Sequence, residues 1–283
     1  TPQQRFQELI EAVRSIFAST MSEDALTYRL QRGLQDHDEH MALLVQRVSG
    51  GQHGKYFFPH VAGVGLSYNT YIWNSDLDPN AGMLRLVVGL GTRAVNRIEG
   101  DYPRIVSLDA PMKQPLDGMY DVRRFSQHDI DALDIEKNVI TTVPFRELIK
   151  EKHTIPLETV AVRDVKAEEE MRERGIEAEN VLLITFEKFL GQMPFAEQMK
   201  RIMTVLQERY RYPVDIEFTV NFNGGGKYRI NLLQCRPHQT AGLKKQVDMP
   251  TTIDAGRIFF ETRGNFLGGN CAQRSQNADI QGV

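Results

Sequence analysis

Apolar residues recur at helical spacing at the start of the chain: Phe6, Leu9, Ile10, Val13, Ile16 and Phe17. That period predicts a helix over 2–17, with Pro2 in its first turn. Ser22 is placed to cap a second helix, with Leu26, Leu30 and Leu34 on its inner side and Gly33 near its end. The run MALLVQRV, 41–48, is short and apolar and predicts a buried strand. GKYFFPHVAGVGLSYNTYIWN, 54–74, is aromatic and β-branched and predicts one or two strands broken at Pro59, its aromatics together with Trp73 belonging to a core. MLRLVVGLGTRAV, 83–95, reads as a buried strand, a glycine turn and a helix start. Prolines 103, 111, 115, 144 and 156 interrupt the region from 99 to 165. It reads as surface loops and short pieces, with a helix near 127–134. DVKAEEEMRERG, 164–175, predicts a solvated helix ended by Gly175, and VLLITFEKFL, 181–190, fits helix or strand. The segment 194–213 predicts an amphipathic helix with Phe195, Met199, Ile202, Leu206 and Tyr210 inward. The next stretch, VDIEFTVNFNGGGKYRINLLQCRPHQT, alternates around three glycines and predicts a hairpin. The sum is an α+β fold with a mixed or antiparallel sheet and flanking helices.

Composition narrows the class. The chain has 283 residues, 41% hydrophobic and 25% charged, with a net charge of −3. Nothing in that balance argues for nucleic acid or a membrane surface as partner. No apolar run approaches the roughly 20 residues of a membrane helix. The two cysteines, Cys235 and Cys271, do not make a disulfide framework. A reducing compartment and a cytoplasmic location are expected. The scattered histidines, including His37 and His40, read as solvated loop residues rather than metal ligands. No repeat and no Ser-His-Asp or Cys-His order stands out, and the final residues carry no pattern.

The chemistry-bearing residues concentrate in the hairpin. With a turn at Gly224-Gly225, Asn223 pairs with Gly226, Asp215 lies opposite Gln234, and Glu217 lies opposite Leu232. Glu217 and Gln234 are then diagonal neighbours on one face, Arg236 is further along it, and Ile216, Phe218, Val220 and Phe222 point to a core. Two carboxylates and an amide oxygen are hard ligands that suit Mg²⁺ carried by nucleotide phosphates. An adjacent arginine matches a terminal phosphate. A wet polar face with Glu217 and Arg236 as an exposed pair explains the same pattern, and both readings stand at this point. GLGTRAV, 89–95, is a second candidate: Gly89 and Gly91 permit close approach of backbone to a ligand, and Arg93 at a helix start suits phosphate. It has neither the Walker nor the GxGxxG pattern, and a plain strand-to-helix turn accounts for it as well. The end of 43–48 could present backbone groups to a base, or be a core strand leaving its sheet.

DIEF, a glycine turn and LLQCRP together resemble the closing hairpin of the nucleotide-binding, ATP-grasp domain of the phosphoenolpyruvate synthase and pyruvate phosphate dikinase family. The resemblance continues upstream in order: SIFASTMSEDALTYRLQRGL is similar to the family's helix pair, MALLVQRV to its adenine hinge, VAGVGLSYNT to its next strand, and GLGTRAV to its GLGE-type turn. It covers about 10–240, with 110–190 poorly matched and readable as an insertion or lid, and leaves 241–283 as a partly disordered extension. The resemblance implies that Glu217 and Gln234 hold the Mg²⁺ of ATP, that Asp215 supports them, and that Arg236 meets the terminal phosphate. It places Gln46, Arg47 and Val48 along the adenine. It implies transfer of a phosphoryl group to a histidine on a swivelling domain, and from there to pyruvate on a third domain. Those two domains of the full-length protein are the partners expected beside ATP.

The departures from the family shape the expectation. Thr92 stands where the family commonly has an acid. The family's first portion, with its phosphate-clamping lysine and arginine, is expected upstream of Thr1, and no phosphohistidine segment or barrel is recognisable. The chain alone is therefore expected to lack activity and tight ATP binding. A nucleotide-sensing or scaffold module that kept the fold without turnover is the alternative, as is a related dikinase with another acceptor.

Overall fold

The computed structural model describes residues 1–31, 33–96, 98–115, 118–150, 155–176 and 180–238. Thr1–Val48 and Ser49–Val283 are separate compact units. The first holds helices α1 (Pro2–Ser19) and α2 (Glu23–Gln31). Thr1 caps α1 by accepting the Gln4 amide, and Ser22 Oγ accepts from Ala25 N at 3.3 Å, which satisfies donors that a helix start leaves open. The expected apolar residues are on these helices except Leu34, which lies beyond the end of α2; α1 buries none of its own, and Leu26, Leu30 and Leu34 are exposed. The expected strand at 41–48 is absent: the stretch is irregular, and Leu43, Leu44, Val45 and Val48 are exposed. A short apolar run has no strand without a partner ladder to receive its amides.

The second unit begins with β1 (Gly51–His53), β2 (Tyr56–Phe58), β3 (Val61–Leu66), β4 (Met83–Val87), α3 (Thr92–Val95) and β5 (Arg104–Ser107). It continues with α4 (Met119–Arg124), β6 (Asp129–Asp134), β7 (Val139–Pro144), α5 (Phe145–Leu148), α6 (Leu157–Val160) and β8 (Ala161–Arg163). It closes with α7 (Val165–Glu173), β9 (Leu182–Ile184), α8 (Glu187–Gln192), α9 (Phe195–Tyr210), β10 (Val214–Phe222) and β11 (Tyr228–Pro237). The strands form a five-stranded sheet in the order β11-β10-β3-β4-β5, a four-stranded sheet β1-β2-β6-β7, and the pair β8-β9. Among the described residues every strand pairing is antiparallel. The architecture is α+β, antiparallel sheets flanked by helices, consistent with an ATP-grasp-like fold.

Among the described residues there are two apolar clusters, a smaller one of Ala62, Val64, Leu66, Met83, Val87 and Ala94 and a larger one that joins these parts. The larger gathers Leu84, Leu86 and Val106 of the larger sheet, Ile130 and Ala132 of the smaller, Phe189 of α8, and Phe195, Met199 and Met203 of α9. Phe189 and Phe195 stack with ring centroids 4.2 Å apart. On α9 the inward set includes Ala196 and Met203, while Tyr210 is exposed. Phe58 is wholly buried, whereas Tyr71 and Trp73 are half-buried.

Two expectations for the middle of the chain are corrected. The region 99–165 is not surface loop: it carries β5, β6 and β7 and contributes Val106, Ile130, Val143, Phe145 and Leu148 to the core. Its prolines mark element boundaries, with Pro103 just before β5, Pro144 closing β7 and Pro156 preceding α6. The expected helix near 127–134 is strand β6, buried on both faces, so no period-two alternation announced it. The ambiguous run 181–190 divides into β9 and the start of α8. Helix α7 is less solvated than expected. Glu168 is buried, receiving Arg163 Nε at 2.8 Å, Arg163 Nη2 at 2.6 Å and the Val181 amide at 3.0 Å. The expectations for Cys271 and for 241–283 lie outside the described residues.

Strand β3 shows how side chains decide the sheet. Gly63 pairs with Phe218 and Gly65 with Ile216 of β10. A Cβ at Gly63 would meet the Arg85 carbonyl at 2.4 Å and Phe218 Cζ at 2.8 Å; one at Gly65 would meet Ile216 Cγ1 at 2.9 Å. The glycines make room for the large residues of the neighbouring strand to cross the sheet surface. Gly63→Ala is expected to destabilise the chain by about 1–3 kcal/mol, read as a lowered urea midpoint with an unchanged slope.

Candidate functional site

The hairpin β10–β11 builds the polar face. Val214, Ile216, Phe218 and Val220 are buried in the core, so the alternate residues Asp215, Glu217, Thr219 and Asn221 face the other way. The register differs from the expected one in two places. The turn is wider, with Asn223 N bonded to Lys227 O at 2.8 Å, and Gly224, Gly225 and Gly226 all at positive φ. A bulge between Glu217 and Phe218 then shifts the pairing again. The two shifts add to two residues, so the acid end keeps its face. Glu217 sits directly opposite Gln234, not diagonal to it, and Asp215 sits opposite Arg236.

Asp215 and Arg236 form a close pair, with Nε and Nη2 at 3.0 and 2.9 Å from Asp215 Oδ2. The carboxylate side chain is 13% exposed and the guanidinium side chain 53%. Asp215 thus orients Arg236 at the open rim. Beyond Glu217, Ser49 Oγ meets Thr219 Oγ1 at 2.7 Å and receives the amide groups of Asn231 and Asn221 at 2.9 and 3.1 Å. The face is therefore a ladder of polar pairs from Asp215–Arg236 to the Ser49 cluster.

Register extends this face across the sheet. Glu217 pairs with Val64, and Val64 with Arg85. Two strand spacings put Arg85 roughly 10 Å from Glu217 on the same side. Arg85 also lines a cavity of about 690 Å³ with Tyr71, Met83, Ala94, Tyr102 and Ile105. That volume is in the range of small-molecule sites. Arg85 had no distinguishing signal in the sequence, since a lone cation within an apolar strand has no partner until the sheet forms. His238 was also unmarked. It follows the hairpin, and burial, aided by Arg236 and opposed by Asp215, lowers its imidazole pKa below the ordinary value.

The glycine turn is explained by packing. Gly89 has φ 93°, and a Cβ there would meet Ile130 Cγ2 at 2.5 Å and the Asp131 carbonyl at 2.7 Å. The close approach is to strand β6. Gly91 has φ −70° and begins a helix of only one turn. Arg93, expected to meet phosphate, is buried instead: it pairs with Asp101, and its Nε lies 3.1 Å from Asp131 Oδ1. Asp131 further accepts the hydroxyls of Thr92 and Thr142, each at 2.7 Å. Thr92 thus turns toward a carboxylate on β6. Burial alone would raise the Asp131 pKa, but those hydroxyls and Arg93 together hold it below the usual carboxylate range. Gln46, Arg47 and Val48 belong to the first unit, in its irregular stretch. Asp215, Glu217, Gln234 and Arg236 are the expected site residues that converge on one face.

The model of the pyruvate phosphate dikinase AMP/ATP-binding domain family matches residues 3–257. No curated protein matches the chain.

Asp131→Asn tests the lock on the glycine turn. Its depressed pKa contributes stability above the ordinary carboxylate value, and this is lost as pH falls through that range. The variant is expected to lose about 1–3 kcal/mol near neutral pH. The gap to the parent should narrow below about pH 4, measured as denaturant midpoints at the two conditions.

Proposed function

The chain belongs to the pyruvate phosphate dikinase AMP/ATP-binding domain family, and from that premise we propose that the polar face of β10 and β11 is where it engages the phosphates of Mg·ATP. The observation that carries this reading is the direct Glu217–Gln234 pair beside an Arg236 already oriented by Asp215. Glu217 and the Gln234 amide oxygen supply two hard donors, and Asp215 is engaged by a guanidinium. Among the described residues there is no cluster of three or more His, Cys, Asp or Glu fit for a metal. Such a set is too sparse for a resident ion and fits Mg²⁺ that arrives with phosphate oxygens and keeps its waters.

In this reading Arg236 meets the terminal phosphate, and its half-exposed fork is free to rotate a nitrogen toward it while Asp215 fixes its base. Arg85, across the sheet, adds positive charge on the same face. Gln46, Arg47 and Val48 are proposed along the adenine, a role that rests on the family. The bound ion would supply charge neutralisation at the phosphates; the side chains orient and hold. The phosphoryl group then passes to a histidine on a swivelling domain of the full-length protein and on to pyruvate.

Incubating the full-length protein with labelled ATP and Mg²⁺ tests this. Acid-labile, base-stable label on histidine is expected, and Glu217→Ala should weaken Mg·ATP binding by calorimetry at least about tenfold, or about 1.4 kcal/mol. Binding and labelling unchanged in Glu217→Ala would remove this face from the nucleotide site.

A further inference from the structure

Several arginines of the second unit are matched with carboxylates: Arg93 with Asp101 and Asp131, Arg123 with Asp164, and Arg163 with Glu168. Arg104, at the start of β5, is different. Its Nη1 donates to the Ile105 carbonyl at 3.0 Å, and its Nη2 to those of Pro111 and Lys113 at 3.3 and 3.5 Å. Its Nε is buried and has no partner among the described residues. No ion pair of Arg104 is formed among the described residues. Burial lowers its pKa to about 10, and Glu187 offsets this only through space. A cation removed from water and held by carbonyl dipoles alone remains short of counter-charge.

Arg104 lines a cavity of about 360 Å³ with Tyr71, Tyr102, Val122, Phe125 and Thr185. The hydroxyl of Thr185 is a second unsatisfied group: the residue is 2% exposed and its Oγ1 has no partner among the described residues. Tyr102 and Phe125 meet edge to face, with centroids 5.3 Å apart. A buried donor left unmade is destabilising, and two lining one cavity call for an acceptor. Pro103, Ile105, Pro115, Val122, Phe125 and Ile184 make much of the wall apolar, with Gln114 and Ser126 as further polar groups; a single cation in such a wall balances a monoanion and leaves a dianion half-neutralised.

We propose that this cavity, at the β5 edge of the five-stranded sheet, binds a small organic carboxylate with a flat apolar body. The carboxylate accepts from Arg104 and Thr185, and the body lies against Tyr102 and Phe125. Strand order places β5 at the edge opposite β11. The cavity shares Tyr71, Tyr102 and Ile105 with the one beside Arg85, so it adjoins the β4 end of the polar face and not the hairpin β10–β11.

Calorimetric or saturation-transfer titration of the full chain with phenylacetate, phenylacetamide and acetate tests the proposal. Phenylacetate is expected to bind at least about tenfold tighter than its neutral amide, as a charge-assisted bond requires. Acetate should bind more weakly than phenylacetate, because it lacks the apolar body. Val122→Trp, which fills the cavity, should abolish binding while circular dichroism stays unchanged. Arg104→Gln should bring phenylacetate down to the amide's affinity; since Arg104 also ties three carbonyls, the comparison of probes on the parent chain stands without it. Equal binding of acid and amide, binding of neither at millimolar concentration, or undiminished binding in a folded Val122→Trp would overturn it.

Discussion

The two faces of β10 set the constraint on which the second unit depends. Val214, Ile216, Phe218 and Val220 must be buried, because each is wholly or almost wholly enclosed by the core. Alternation then leaves Asp215, Glu217, Thr219 and Asn221 on the opposite side without further choice. The neighbouring strands conform to that arrangement. Strand β3 offers glycines where Ile216 and Phe218 cross it. Strand β11 offers Gln234 and Arg236 to the acids. Hydrophobic burial on one side thereby aligns a set of ligating groups on the other, and the polar face needs no separate device to assemble it.

A second group of contacts ties the two larger sheets together. The side chain of Gln127 receives the Val88 amide at 2.7 Å and donates to the Val88 and Asp129 carbonyls at 2.8 Å, continuing in side-chain form the ladder that β4 leaves. Just beyond, the Leu90 amide bonds to the Asp131 carbonyl, and Asp131 holds Thr92, Arg93 and Thr142. Such a network stabilises only when every member is satisfied, because a lone buried charge there would cost more than the pair returns. It makes the glycine turn a rigid joint. Arg93 is consumed by that role, which explains why a cation at a helix start is not at a phosphate.

The matched and unmatched cations give the molecule its chemistry. Where a carboxylate is at hand, as for Arg93 and Arg123, the arginine is structural. Arg236 is matched but half-exposed, so its fork can serve a ligand while its base is fixed. Arg104 is enclosed, held by three backbone carbonyls and without a counter-ion among the described residues. Three arginine environments in one fold show that residue type alone does not assign a role; burial and the nearest carboxylate do.

The sequence by itself determined the hairpin, the α9 helix, the break at Pro59 and the convergence of Glu217, Gln234, Asp215 and Arg236, because these rest on local period and on turn glycines. The family was legible for the same reason: DIEF and LLQCRP are contiguous. The exact pairing was not legible. A bulge between Glu217 and Phe218 depends on how β10 fits β3 and β11 together, which no single strand encodes. Strand β6 was missed because burial on both faces erases alternation. The buried strand expected at 41–48 failed for the converse reason: apolar content without a ladder does not make a strand. The roles of Gly89, Arg93 and Arg104 were decided by partners far along the chain, Ile130, Asp131 and the walls of a cavity. Local pattern fixes which face a residue takes; only tertiary packing brings up the charge or void that faces it.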